Sequence, residues 1–105
     1  MAMSQDGGGA ITKGNDTVYN KITTGQTSCT NAATLIVAGS GYRAKLYLFN
    51  VSTDTPIYVG PTTSVTTTNG FGLEPRKHIC WPYTGALYGI VTTGSEDVSV
   101  AEIQT

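Results

Sequence analysis

The residues able to do acid–base, nucleophilic or metal chemistry are few in this 105-residue chain, and they are scattered. The one histidine, His78, sits at the start of an apolar run, and Cys29 and Cys80 stand far apart with no metal-ligand spacing around them. No Gly-x-Ser-x-Gly surrounds any serine. Gly39-Ser40-Gly41 lacks the lysine and following helix of a phosphate loop. The seven carboxylates include one adjacent pair, Glu96-Asp97, but neighbours on a strand point to opposite faces. No spacing marks a catalytic residue, a cofactor site or a metal site, so the expectation is a protein that is not an enzyme and takes no cofactor. Two lone cysteines are expected as free thiols, packed as small hydrophobes, and not as a required disulfide.

Aromatic side chains remain as the carriers of binding. Tyr42, Tyr47, Phe49, Tyr58, Phe71, Trp81 and Tyr83 form the candidate interface set, because aromatic residues are enriched where surfaces meet. With only 6 Lys and Arg and a net charge of −1, a broad basic face for nucleic acid is excluded. No apolar run reaches the length that crosses a membrane as a helix. Charged residues make up 12% of the chain, against about 25% in an ordinary domain. A surface so poor in charge suits a protein covered by partners, and low net charge favours association, so a homo-oligomer is expected.

The elements that must place these aromatics read as strands. The chain holds 18 Thr, 13 Gly and 6 Tyr but few strong helix formers, a composition that favours pleated, half-buried surfaces broken by turns. From Asp16 onward, short apolar runs alternate with turn signals: Asp16–Thr23, ended by Thr24-Gly25; Gln26–Ala38, with room for a helical turn at Asn31–Leu35; Tyr42–Val51; Pro56–Gly60; Phe71–Glu74; His78–Pro82; Ala86–Thr93; and Asp97–Gln104. Pro61–Thr68 reads as a loop or weak edge strand. Eight runs at this spacing predict an all-β fold, an antiparallel β-sandwich or jelly-roll-like barrel. Tyr42–Val51 is apolar on both alternating faces and is expected to be central and covered on both sides. The last two runs read as a hairpin.

Asn50, Gly60, Asn69 and Gly70 are the candidate structural turns. Asn50 and Asn69-Gly70 fit left-handed backbone, and Gly60 fits a tight turn or a close backbone approach. Arg43 flanks the central run and has Glu74 or Glu102 as candidate partners. Residues 1–14, with three successive glycines at Gly7–Gly9, are expected to be a flexible arm, and residues 15–105 a single β-sandwich domain.

Four segments carry a resemblance. They are R-A-K-L-Y-L-F-N-V-S-T-D-T-P-I-Y-V-G at Arg43–Gly60, V-T-T-T-N-G-F-G-L-E-P at Val65–Pro75, A-L-Y-G-I at Ala86–Ile90 and D-V-S-V-A-E-I at Asp97–Ile103. Together they resemble a small β-domain of tailed-bacteriophage structural proteins, the kind found in capsid decoration (cement) proteins. The resemblance implies a viral structural protein made in the host bacterial cytoplasm and located on the capsid surface of the virion. It implies a homo-oligomer, as a trimer, with the major capsid protein as partner, stabilising the head by bridging capsid subunits. It brings no catalytic residue. The alternative reading of the same chain is a tail- or fibre-associated adhesion module that binds a host surface glycan through exposed Tyr and Trp.

Overall fold

The computed structural model describes residues 21–105 in full, together with the backbone of Thr12–Lys13 and Asp16–Thr17. The fold is all-β, with no helix among the described residues. Strands β1 (Thr12–Lys13) and β2 (Asp16–Thr17) form a two-residue antiparallel pair. The domain itself is built from β3 (Lys21–Thr30), β4 (Thr34–Val37), β5 (Arg43–Asn50), β6 (Ile57–Gly60), β7 (Phe71–Leu73), β8 (His78–Trp81), β9 (Leu87–Ile90) and β10 (Ser95–Gln104). These eight make two four-stranded antiparallel sheets, ordered β3-β10-β5-β8 and β4-β9-β6-β7, as a β-sandwich. The arm expected at Met1–Gly14 lies outside the described residues, save for the Thr12–Lys13 backbone.

The period-2 pattern of β5 places its core. Leu46, Leu48 and Asn50 are buried while Tyr47 between them is exposed. Leu46 and Leu48 meet Cys29, Ile36, Ile57, Val59, Leu73, Leu87, Val91 and Val98 between the sheets. Each large aliphatic side chain fully buried there contributes about 1.5–3 kcal/mol. The expectation that β5 is covered on both faces is corrected. Its central position comes from hydrogen-bonded neighbours on each side, β10 and β8, whereas Tyr47 and Phe49 lie on the outer face.

Three further expectations change. Thr24-Gly25 does not end a strand, because β3 runs through both and pairs without interruption along β10 from Lys21 to Thr30. Asn31–Leu35 forms no helical turn; a bend at Asn31-Ala32 leads into β4. The last two runs are not a hairpin. β9 already has β4 and β6 as neighbours and β10 has β3 and β5, so the Val91–Gly94 connection steps from one sheet to the other. Gly94 makes that step with a left-handed φ of 71°, a conformation glycine adopts without steric cost.

Candidate interaction surface

Strands β7 and β8 are edges of opposite sheets, and their aromatic residues meet on that open side of the sandwich. The Phe71 and Trp81 rings pack edge to face, with centroids 5.6 Å apart and planes at 68°. Phe71 remains 54% exposed. Pro61, Pro82, Tyr83 and Leu87 complete a slot of about 470 Å³ that holds no charged side chain.

Two buried polar residues, one at each end of β5, hold the walls of this slot. Arg43 is fully buried. Its Nε donates to the Tyr83 carbonyl at 2.8 Å, Nη1 to the Ala38 carbonyl at 3.0 Å, and Nη2 to the Gly85 carbonyl at 2.5 Å. Nη1 also pairs with Glu102 Oε2 at 2.5 Å. Of the two candidate partners, Glu102 is therefore the one. The guanidinium fork satisfies three carbonyls of two loops together with one carboxylate, which a flexible ammonium would not match. The Tyr83 ring is fixed by its own hydroxyl, which donates to the Ala86 carbonyl at 2.7 Å.

At the other end, Asn50 is wholly buried. Its Nδ2 donates to the carbonyls of Thr55 at 2.9 Å and Leu73 at 2.8 Å, and its Oδ1 accepts the Ser52 N–H at 2.9 Å. The side chain thus ties the end of β5 to the end of β7, the strand that carries Phe71. The left-handed expectation for Asn50, Asn69 and Gly70 is corrected. Among the described residues, the positive-φ positions are Arg76, at 61°, and Gly94. Asn50 works through its amide, not its backbone freedom.

The β6–β7 connection gives Pro61 to the slot, and others of its residues line a separate recess beside Phe71. Asn69-Gly70 is no two-residue hairpin turn, because the connection runs from Gly60 to Phe71. Asn69 Oδ1 accepts the Thr66 N–H at 2.7 Å, and its Nδ2 donates to the Ser64 carbonyl at 3.2 Å. Val65, buried by the same loop, lies so near that a Cβ on Gly60 would come within 2.9 Å of its Cγ2. A Cβ on Gly70 would meet Tyr58 Cβ at 2.8 Å and the Thr66 carbonyl oxygen at 2.9 Å. Both glycines are there for close approach.

The candidate aromatics therefore separate. Phe71, Trp81 and Tyr83 come together in the slot. Tyr47 and Phe49 lie on the outer face of the first sheet, where Thr24, Gln26, Ser99 and His78 help line a shallow trough of about 590 Å³. The Arg76 guanidinium sits 4.9 Å above the Phe49 ring. Tyr58 packs beside Gly70 and Gly72 on the second sheet, and Tyr42 stands 77% exposed before β5. Sequence reasoning missed Val65 and the depth of Arg43; an arginine at the head of an apolar strand was the available signal.

Cys29 and Cys80 are both free, Cys29 buried and Cys80 exposed. Burial, aided by the negative charge of Asp97, pushes the Cys29 thiol up to about 11. No group of three or more His, Cys, Asp and Glu among the described residues could hold a metal ion. Compared with family models, curated proteins and solved structures, the chain matches none.

Proposed function

We propose that the protein is a non-enzymatic structural protein of a tailed-phage virion, a capsid decoration (cement) protein that sits on the capsid surface as a homo-oligomer and bridges subunits of the major capsid protein. The observation that supports this reading most is the uncharged slot of Phe71, Trp81, Pro61, Pro82 and Tyr83, braced from behind by Arg43 and Asn50. An apolar, aromatic recess with fixed walls is the kind of site that receives a side chain or extended segment of another protein. On a shell the contact is repeated, so modest affinity per copy becomes strong attachment.

The test is co-sedimentation of the purified protein with expanded shells of the major capsid protein. Wild type should saturate the shell at many copies per particle. The Phe71→Ala/Trp81→Ala pair should lose at least about tenfold in affinity, since buried aromatic anchors each carry about 2 kcal/mol or more. Absence of wild-type binding to the shell would remove the reading.

A second reading draws on the trough beside Tyr47 and Phe49. An aromatic platform rimmed by Gln26, Ser99 and His78 has the make-up of a glycan site, as an adhesion module on a tail or fibre would carry. A glycan array that retains wild type but not Phe49→Ala would favour it over capsid decoration.

A further inference from the structure

The two sheets end in four edge strands, and three carry ordinary protection against pairing with another chain. β7 has three residues and runs into Pro75 two positions later. β8 has four, between basic Arg76-Lys77 and Pro82. β4 has four and breaks register between Leu35 and Val37. Short length, proline, positive charge and irregular register all discourage strand addition.

Of these, β3 has only one positive charge, at its first residue. It is ten residues long, contains no proline, and keeps unbroken register with β10. Its single charge, Lys21, lies at the very end, and Lys21–Gln26 are all exposed. Among the described residues, no strand pairs with its other edge. A long regular edge of this kind presents a row of N–H and C=O groups to which an extended backbone can pair.

We propose that this edge is covered by the β3 strand of a second copy of the chain, antiparallel about a twofold axis, which joins the two β3-β10-β5-β8 sheets into one of eight strands. The inference rests on the self-association in the decoration-protein reading, and it replaces the trimer that the resemblance implies with a twofold pair. Charge along the edge selects the antiparallel self-pairing. Lys21 marks one end, and Glu96 and Asp97 flank the other, opposite Cys29 and Ser28 on β10. An antiparallel twofold brings each Lys21 to the acidic end of its partner, whereas a parallel arrangement would bring like charges together.

The pleat narrows the register. The core faces of both sandwiches stay on one side only if residues of the same parity oppose each other. Centring the axis on Gly25 meets that condition and pairs residues 21–29 of both strands. Lys21 then lies opposite Cys29 of the partner subunit, one strand from Glu96 of the partner subunit. A Cβ at Gly25 meets nothing within 4 Å, so the position can carry a probe.

The test uses the full chain with exposed Cys80 replaced by Ser. Gly25→Cys should form a covalent dimer when a thiol oxidant is added, because directly opposed residues have Cα atoms within disulfide range. Leu35→Cys, exposed on the β4 edge, is the control. Separately, Thr24→Lys/Gln26→Lys places like charges around the axis on exposed positions. By sedimentation equilibrium it should weaken self-association by about tenfold or more, with the circular dichroism spectrum unchanged. Lys21→Glu should weaken it as well, and adding Glu96→Lys should restore it.

A Gly25→Cys chain that links no better than the Leu35→Cys control overturns the proposal. So does an oligomer indifferent to Thr24→Lys/Gln26→Lys, or a wild-type chain that stays monomeric at micromolar concentration. The two variant results leave the shell-binding test untouched, so with them the twofold contact fails alone; a monomeric wild type would also remove the homo-oligomer from the decoration reading, while shell binding would still decide the rest.

Discussion

Arg43 and Asn50 close the two ends of the same strand, yet they do it with different chemistry. Asn50 is neutral, and its amide stands in for backbone: two N–H groups and one oxygen complete loops that would otherwise bury unsatisfied main-chain groups. Arg43 does similar work for the carbonyls of Ala38, Tyr83 and Gly85, but it brings a charge into the interior and therefore needs Glu102. The difference teaches that dipoles are enough where a short side chain lies beside the groups it satisfies. Gathering three carbonyls on one fork takes the reach of a guanidinium, and with it an ion pair whose halves depend on each other.

The largest expected effect follows from that dependence. Glu102→Gln leaves a fully buried guanidinium without its counter-charge, and breaking a buried pair in this way costs about 3–5 kcal/mol. Arg43→Ala should cost at least as much, because three carbonyls also lose their donor. Urea unfolding of the variants beside wild type checks both. An Arg43→Lys chain that unfolds at the wild-type midpoint would break the comparison, since it would mean that charge alone suffices and the fork is idle.

Asn50→Ala comes next. It strips a partner from two buried or part-buried carbonyls and one buried N–H, at about 1–3 kcal/mol for a buried group left unsatisfied. The cost should be accompanied by looser packing at Phe71, because Leu73 loses its tether. Hydrogen exchange at the β7 amides reads that directly, and Arg43 variants should leave those amides less affected than the Tyr83–Gly85 loop.

Much of this fold was legible from turn spacing and from alternation in Tyr42–Val51, because both are local signals. Six of the eight strands, β5 to β10, came from there; β3 and β4 did not, because Thr24-Gly25 looks like a turn and yet lies inside one strand. The pairing of β9 and β10 was not legible, since a short connection looks alike whether the chain returns to its own sheet or steps to the other. The sites divide in the same way. Phe71, Trp81 and Tyr83 stood out by residue type, but their meeting place depends on β7 and β8 being edges of opposite sheets, which no window of sequence contains. Asn50 was marked for the wrong reason: Asn in a turn suggests left-handed backbone, and here the buried amide does the work.

The two cysteines extend the contrast between inside and outside. Cys80 should react with iodoacetamide at neutral pH, while Cys29, buried and with its thiol pushed up to about 11, should react only as the protein unfolds. The sign for stability follows. The folded thiol holds its proton more tightly than the unfolded one, whose reference value is 9.0, so the contribution is complete below about that pH and is lost as pH rises toward 11. The urea midpoint should therefore fall across that alkaline window. In Cys29→Ala that part of the fall should disappear, whatever the substitution does to stability at neutral pH.

The smallest effect is expected at Glu74, and it bears on Arg43 most sharply. By sequence, Glu74 and Glu102 were equal candidates for the arginine's partner. The structure leaves Glu74 exposed at the end of β7, while Glu102 pairs with the guanidinium from the neighbouring β10. An exposed carboxylate away from caps and buried networks changes stability by no more than about 0.5 kcal/mol when neutralised. Glu74→Gln should therefore leave the urea midpoint almost where it was, and Glu74→Gln/Glu102→Gln should match Glu102→Gln alone. A measurable coupling between the two glutamates in that double-mutant cycle would mean that Glu74 shares the arginine's field, and that the ion pair is not confined to the Arg43 end of the sandwich.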